Sequence, residues 1–257
     1  MELTPEETNE CISFANKQRP QWLSFTGGEP LACYSDKIRY ILDRLEYKPR
    51  LKVVTNGSVA SRKNFESLLN CFGFDEVQVS IDKFHSKFCR IEDLIAFVQY
   101  WKKRNTLVSI AVSLTSPRDV EAIKFLPEEL RALCKFNKVV RMGRARKTQT
   151  YYEPALFSKA DLKGKCLMIE ESTIVYVPAK GFSACCGNLI FGNSVMAENV
   201  AFSSIGLLVQ SDFYKTIQAT SFLEMLVDKK FENDPSNSIS CNLCEAFFCR
   251  RYQLDQN

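Results

Sequence analysis

Histidine is nearly missing from this chain. Its 257 residues contain one, His85, so no nitrogen-rich metal site can be assembled, and a lone histidine is more often a structural hydrogen-bonder than a catalyst. No stretch reads as a signal peptide and no long apolar run is free of charge, so a cytoplasmic location is the default expectation and no membrane partner is expected. An excess of charge of one sign is also missing. The net charge is +4 with Lys and Arg scattered along the chain, which makes no case for nucleic acid. Internal repeats are absent.

What is present is ordinary in bulk and unusual in one residue type. A hydrophobic content of 46% with 25% charged residues suits a globular protein, and 257 residues can bury one large domain or one domain with a small appendage. Eleven cysteines are many. The count is odd and no secretory signal precedes them, so a disulfide framework is not expected. Cys11, Cys33, Cys71, Cys89 and Cys134 stand alone, mostly in apolar stretches, and read as buried thiols acting as small hydrophobes. Cys166, Cys185, Cys186, Cys241, Cys244 and Cys249 crowd toward the end of the chain.

The hydrophobic pattern predicts alternating helices and strands. Thr4-Pro5-Glu6-Glu7 is a helix start with a capping box, and the helix is expected to run to about Lys17. Strands are expected at 22–26, 51–55, 77–81, 108–114 and 138–142. Helices are expected at 36–45, 61–71, 91–104 and 120–134. That alternation means βαβ units and a parallel sheet, hence an α/β fold, and ligand chemistry on such a sheet sits at the carboxyl ends of the strands. After Lys147 the pattern changes to irregular sequence, with a hairpin at 172–177 and 183–186, a helical run near 212–227 and a loop at 234–238. A domain boundary is placed near residue 148, giving 1–147 and 148–257.

Several motifs fall at those strand ends. Gly27-Gly28-Glu29-Pro30 follows the first strand. It is either a tight turn before a helix or a ligand loop in which the glycines let backbone approach and the carboxylate receives an ammonium group. Asn56, in Thr55-Asn56-Gly57, either binds a ligand or caps the next helix. Ser80 and Asp82 carry the short polar side chains that ribose hydroxyls need. Arg141-Met142-Gly143-Arg144-Ala145-Arg146 is either a solvated basic loop or a ligand contact through the Gly143 backbone. Cys241-x2-Cys244 has the spacing of two ligands on one metal knuckle, and Cys166 with Cys186, five residues after Gly181, can complete a four-thiolate site. Four sulfurs suit zinc or an iron–sulfur cluster equally well, and Cys249 is a spare.

Taken together these residues resemble the radical S-adenosylmethionine (SAM) proteins that carry a C-terminal auxiliary-cluster domain of the SPASM/twitch type. The marks stand in family order over essentially the whole chain: Leu-Ser-Phe-Thr-Gly-Gly-Glu-Pro (23–30), Val-Thr-Asn-Gly-Ser (54–58), Val-Ser-Ile-Asp (79–82), Met-Gly-Arg-Ala (142–145), and Gly-Phe-Ser-Ala-Cys-Cys-Gly-Asn (181–188) with Gly192-Asn193. The resemblance implies an incomplete (β/α) barrel followed by a small cysteine-rich domain. It implies that Gly27, Gly28 and Glu29 hold the amino group of SAM, with Ser80 and Asp82 near its ribose and carboxylate and the backbone about Gly143 near the adenine. It also implies an auxiliary 4Fe–4S cluster, rather than zinc, on Cys166, Cys186, Cys241 and Cys244. The expected activity is formation of a 5′-deoxyadenosyl radical that acts on a peptide or an alcohol-bearing small molecule, fed by a reductase or flavodoxin-type electron donor. One departure is large. The family's C-x3-C-x2-C motif is nowhere in this sequence, and Leu3-Thr4-Pro5-Glu6-Glu7 resembles the segment that follows it. The chain is therefore expected to be inactive alone. Either the motif lies in a preceding segment or this is a radical-incompetent relative, in which case a non-catalytic iron–sulfur or zinc protein binding a peptide or protein partner is the alternative. The bare edge that the strand at 22–26 would otherwise present favours a preceding segment.

Overall fold

The computed structural model describes residues 2–81, 85, 89–160, 162–192, 194–227 and 229–253; Asp82 and Asn193 lie outside them. The chain divides into two compact units, Thr4–Asn137 and, with the first three residues, Lys138–Asn257. The division precedes residue 148, so the basic stretch 141–147 goes with the second unit.

The first unit is a mixed α/β body around a five-strand parallel sheet: β1 (Trp22–Phe25), β2 (Arg50–Thr55), β3 (Glu76–Ser80), β4 (Leu107–Leu114) and β5 (Cys134–Lys138). Strand order equals chain order, so each strand is laid beside its predecessor without the reversal of a doubly wound sheet. Register is defined by pairs such as Phe25↔Val53, Val53↔Val77 and Val79↔Ile110. Period-two alternation sets the two faces. Val53, Val77, Val79, Ile110 and Val112 are fully buried, in one cluster with Phe97, Val98 and Trp101 of the helix Ile91–Lys103. A side chain of that size contributes about 1.5–3 kcal/mol by leaving water. On the other face Lys52 pairs with Glu76 at 2.8 Å, directly across the β2–β3 register.

Local signals explain most boundaries. The helix Pro5–Gln18 has both capping-box hydrogen bonds, the Thr4 N–H to Glu7 Oε2 at 2.8 Å and the Glu7 N–H to Thr4 Oγ1 at 3.2 Å. It ends where Arg19 turns left-handed at φ 48°. The expected helix over 120–134 is broken. A 3-10 turn ends at Ile123, Pro127 caps a short helix at Glu128–Arg131, and the Ile110 N–H bonds to Leu133 O, so β5 begins at Cys134 rather than at Lys138. Proline lacks an N–H and disfavours helix at the residue before it, which outweighs the helical spacing of Leu126, Leu130 and Leu133.

The second unit holds a two-stranded antiparallel hairpin, β6 (Val175–Val177) and β7 (Gly181–Ser183), among short helices. Its longest helix, Ser240–Arg251, buries Leu243, Cys244, Glu245, Ala246, Phe248 and Cys249. A helix apolar on most sides belongs in a core. Phe248 stacks edge-on with Phe213 at 5.3 Å, and Arg251 forks onto Asp212 at 2.9 and 2.8 Å.

Candidate functional site

Sequence-predicted site residues fall in both units. In the first, the loop after β1 carries Gly27 at φ 84° and Gly28 at φ 56°. A Cβ on Gly27 would meet nothing within 4 Å, so the requirement there is conformational, and the backbone faces open space. Glu29 is buried at 8% exposure. Pro30 opens the short helix Pro30–Cys33, a position where its missing N–H costs nothing.

The Glu29 carboxylate is spent across the sheet. The Thr55 hydroxyl donates to Oε1 in a short hydrogen bond, and the Asn56 N–H donates to Oε2 at 2.7 Å. Asn56 Oδ1 accepts the Ser58 N–H at 2.8 Å in a local turn, while the 3-10 helix that follows, Ser58–Ser61, has Gly57 as its N-cap and no side-chain cap. Glu29 thus braces the loop after β2 against the loop after β1, leaving the Gly27–Gly28 backbone as the exposed lip of the cradle. Ser80 ends β3 opposite Ala111. Two residues not singled out from sequence join this edge. Thr55 is the shared acceptor-donor, also receiving the Gly57 N–H at 3.0 Å. Cys89 stands with its Sγ 3.6 Å from where a Gly57 Cβ would be, its thiol pushed up to about 11 chiefly by burial, with the charges of Asp93 and Glu29 adding. Thr55 opens the Thr55-Asn56-Gly57 motif, and in the sequence Cys89 reads only as a lone buried thiol.

Glu29→Ala would strip the buried Thr55 hydroxyl and the Asn56 N–H of their acceptor, and is expected to lower unfolding free energy by about 1–3 kcal/mol. Urea titration of the chain checks it, and an unmoved midpoint would show that the brace carries nothing. A cavity of about 530 Å³ in this unit, lined by Arg50, Asp75, Arg104 and Leu107, opens at the amino ends of the strands and is not the cradle.

In the second unit Gly143 opens the helix Gly143–Lys147 at φ 52°. Here the cysteines gather. Cys241 and Cys244, three apart on one helix, share a face. The Cys241 thiol is pushed up to about 12 by burial and then by the charges of Cys185, Cys186 and Cys166; that of Cys244 lies well above its usual value by burial and then by Cys185, Cys241 and Cys166. Cys166, caught in the turn that opens the helix Leu167–Glu170, has backbone N–H groups of Met168 and Ile169 toward its sulfur. Cys241 and Cys244 thus both respond to thiols of two other segments, Cys166 and Cys185. Cys249 is not among them: after burial its thiol responds to Glu245, Arg146 and Arg141. Among the described residues, no group of three or more His, Cys, Asp or Glu side chains is so placed that it could hold a metal ion.

Beside the thiols runs a buried polar network. Arg146 Nη1 donates to Glu245 Oε1 at 2.6 Å and to Gly192 O at 3.0 Å. Asn188 Nδ2 donates to Asn242 Oδ1 at 2.9 Å and to Glu245 Oε2 at 3.1 Å, and Asn242 Nδ2 reaches Ser236 O at 3.1 Å. Asn188, Asn242 and Glu245 are each buried. Gly192 is required by this packing, since a Cβ would stand 2.4 Å from Asn188 O. The solvated-loop reading of 141–146 fails at Arg146, whose partner is 99 residues away.

No protein-family model matches this chain, and no curated protein matches it either.

Proposed function

We propose that this chain is a radical SAM-type iron–sulfur protein, an incomplete (β/α) barrel carrying a SAM cradle and a small cysteine-rich unit carrying an auxiliary thiolate centre. What supports the reading is the cysteine-rich second unit, in which the Gly187 N–H donates to Cys185 Sγ at 3.3 Å and a Cβ at Gly187 would stand 3.4 Å from Cys241 Sγ. An all-thiol donor set suits an iron–sulfur cluster or zinc, and backbone N–H groups turned toward the sulfurs suit anionic thiolates.

Within this reading the chain's residues have distinct tasks. The Gly27–Gly28 backbone would receive the ammonium end of SAM, Glu29 braces that loop, and Ser80 and Asp82 would serve the ribose and carboxylate. A bound auxiliary cluster would supply a one-electron relay for oxidation of a peptide or an alcohol-bearing substrate. Because the sequence contains no C-x3-C-x2-C, radical formation is not expected of this chain by itself. That same absence favours a second reading, a non-catalytic iron–sulfur or zinc protein that binds a peptide or protein partner.

Anaerobic purification with iron, sulfide and zinc counting tests both. About four irons and four sulfides per chain, with an electron paramagnetic resonance signal after reduction, are expected of a 4Fe–4S cluster. Zinc without iron would move the centre to the second reading, and neither metal would end both. SAM cleavage under dithionite by this chain would overturn the claim of inactivity.

A further inference from the structure

We infer that the cavity at the amino ends of the strands binds a phosphate group, as a small-molecule site apart from the cradle. All of its lining residues belong to the first unit, so the site is independent of the thiols and of the SAM reading. At about 530 Å³ it falls within the range of cavities that take small organic ligands. Catalysis on parallel sheets gathers at the carboxyl ends of the strands. A ligand at the opposite end is one the chain holds rather than transforms.

Three chain segments build the site, and hydrogen bonds tie them together. Arg50 opens β2, Gly73-Phe74-Asp75 leads into β3, and Arg104-Asn105-Thr106 links the helix Ile91–Lys103 to β4. The Leu51 N–H donates to Asp75 Oδ2 at 2.7 Å, the Asp75 N–H to Leu51 O at 2.9 Å, and the Leu107 N–H to Asp75 O at 2.9 Å. Thr106 Oγ1 donates to Phe74 O at 3.0 Å. Phe74 and Trp101 are buried in the wall with their rings 5.7 Å apart, edge to face. At Gly73 the wall carries no side chain, and a Cβ there would meet nothing within 4 Å.

Two guanidiniums on this frame are held by aromatic rings more than by carboxylates. Arg50 lies over the Trp22 ring at 4.1 Å and Arg104 over the Tyr100 ring at 5.2 Å. Asp75 Oδ1 stands 3.8 Å from Arg50 Nε, beyond a hydrogen bond, and Oδ2 is committed to the Leu51 N–H. Arg104 donates to Asn70 Oδ1 at 3.2 Å and to Asn70 O at 3.5 Å, and pairs with no carboxylate among the described residues. Stacking orients the plane of a guanidinium and leaves edge N–H groups for an oxyanion, which takes them as two parallel hydrogen bonds. Two arginines and one aspartate give the lining a net charge of +1, which favours an anion. A carboxylate has oxygens enough for one such fork; a phosphate has enough for both.

Binding can be read from the chain's own emission, because both of its tryptophans stand here, Trp22 beneath Arg50 and Trp101 in the wall. The full chain, in about 0.15 M salt to screen loose surface attraction, is titrated with inorganic phosphate, ribose 5-phosphate and ribose. Both phosphates should change the emission saturably, and ribose should not. Tighter binding of ribose 5-phosphate assigns an organic ester as the ligand, and equal binding assigns free phosphate. Arg50→Gln and Arg104→Gln should each weaken binding about tenfold or more, the scale of a lost hydrogen bond to a charged group. Arg118→Gln, outside the cavity, should leave it unchanged. Titration calorimetry supplies affinities where a variant alters the emission itself, and far-ultraviolet circular dichroism controls for folding. Should a Gln variant fail to fold, its Lys counterpart, which keeps the charge and loses the fork, should still bind more weakly than wild type. No saturable response to either phosphate, an equal response to ribose, or wild-type affinity in the variants at both Arg50 and Arg104 would overturn the inference.

Discussion

If the second unit holds the metal proposed above, stripping it from loaded protein is expected to destabilise the unit formed by residues 138–257 by several kcal/mol, while the melting of the parallel-sheet unit stays where it was. A ligand held by the folded state alone stabilises it by RT ln(1 + [L]/Kd), about 4 kcal/mol at a thousandfold excess over Kd. The effect should stop short of complete unfolding. Small zinc modules draw about 10–16 kcal/mol from their metal because they have little else. This unit also buries Leu162, Phe182, Ile190, Met196, Phe213, Leu243 and Phe248, an apolar core of its own. Calorimetry of loaded and chelator-treated protein should show one transition shifting and one fixed. Superimposable traces would mean that the thiols bind nothing that matters to folding.

Arg146→Ala should cost about 3–5 kcal/mol, the range for leaving one charge of a buried pair without its partner. The Glu245 side chain is 5% exposed and that of Arg146 27%, so solvent can screen little of the carboxylate left behind. The substitution also takes a donor from Gly192 O. Replacing both partners by apolar residues, as in Arg146→Met with Glu245→Leu, should recover most of the loss, because the expense lies in the orphaned charge more than in the missing attraction. The residual loss falls on Asn188, whose amide would forfeit one acceptor. Urea unfolding of the two single variants and the double variant closes the cycle. A loss under about 1 kcal/mol for Arg146→Ala, the scale of an exposed ion pair, would show that the pair is solvated after all. Since Glu245 directly follows Cys244, Arg146→Ala also checks whether the helix Ser240–Arg251 needs this anchor to present its sulfurs.

Much of the first unit was legible in the chain because its determinants are local. Thr4, Pro5 and Glu7 specify a helix start within one turn, and β2, β3 and β4 announce themselves through short runs of Val, Ile and Leu between helical periods. The error at β5 has the same origin. Leu126, Leu130 and Leu133 keep helical spacing, and only pairing with β4, through the Ile110 N–H and Leu133 O, shows that the chain has already turned toward the sheet. Glu29 was marked as a site residue from its neighbours, yet its task depends on Thr55 and Asn56, which reach it only once β1 and β2 lie side by side.

By itself the sequence determined that the chain builds an α/β body from βαβ steps, that Gly27 and Gly28 stand at a strand end, and that thiols rather than imidazoles are its available metal donors. Those properties follow from side-chain chemistry and from spacings of a few residues. Tertiary structure alone decided that Arg146 finds Glu245, that Glu29 faces sideways into the next loop, and that Asn188 reaches Asn242 and Glu245. Each of those outcomes depends on the direction of a side chain against a partner far along the chain, and direction is set by packing, about which residue order is silent.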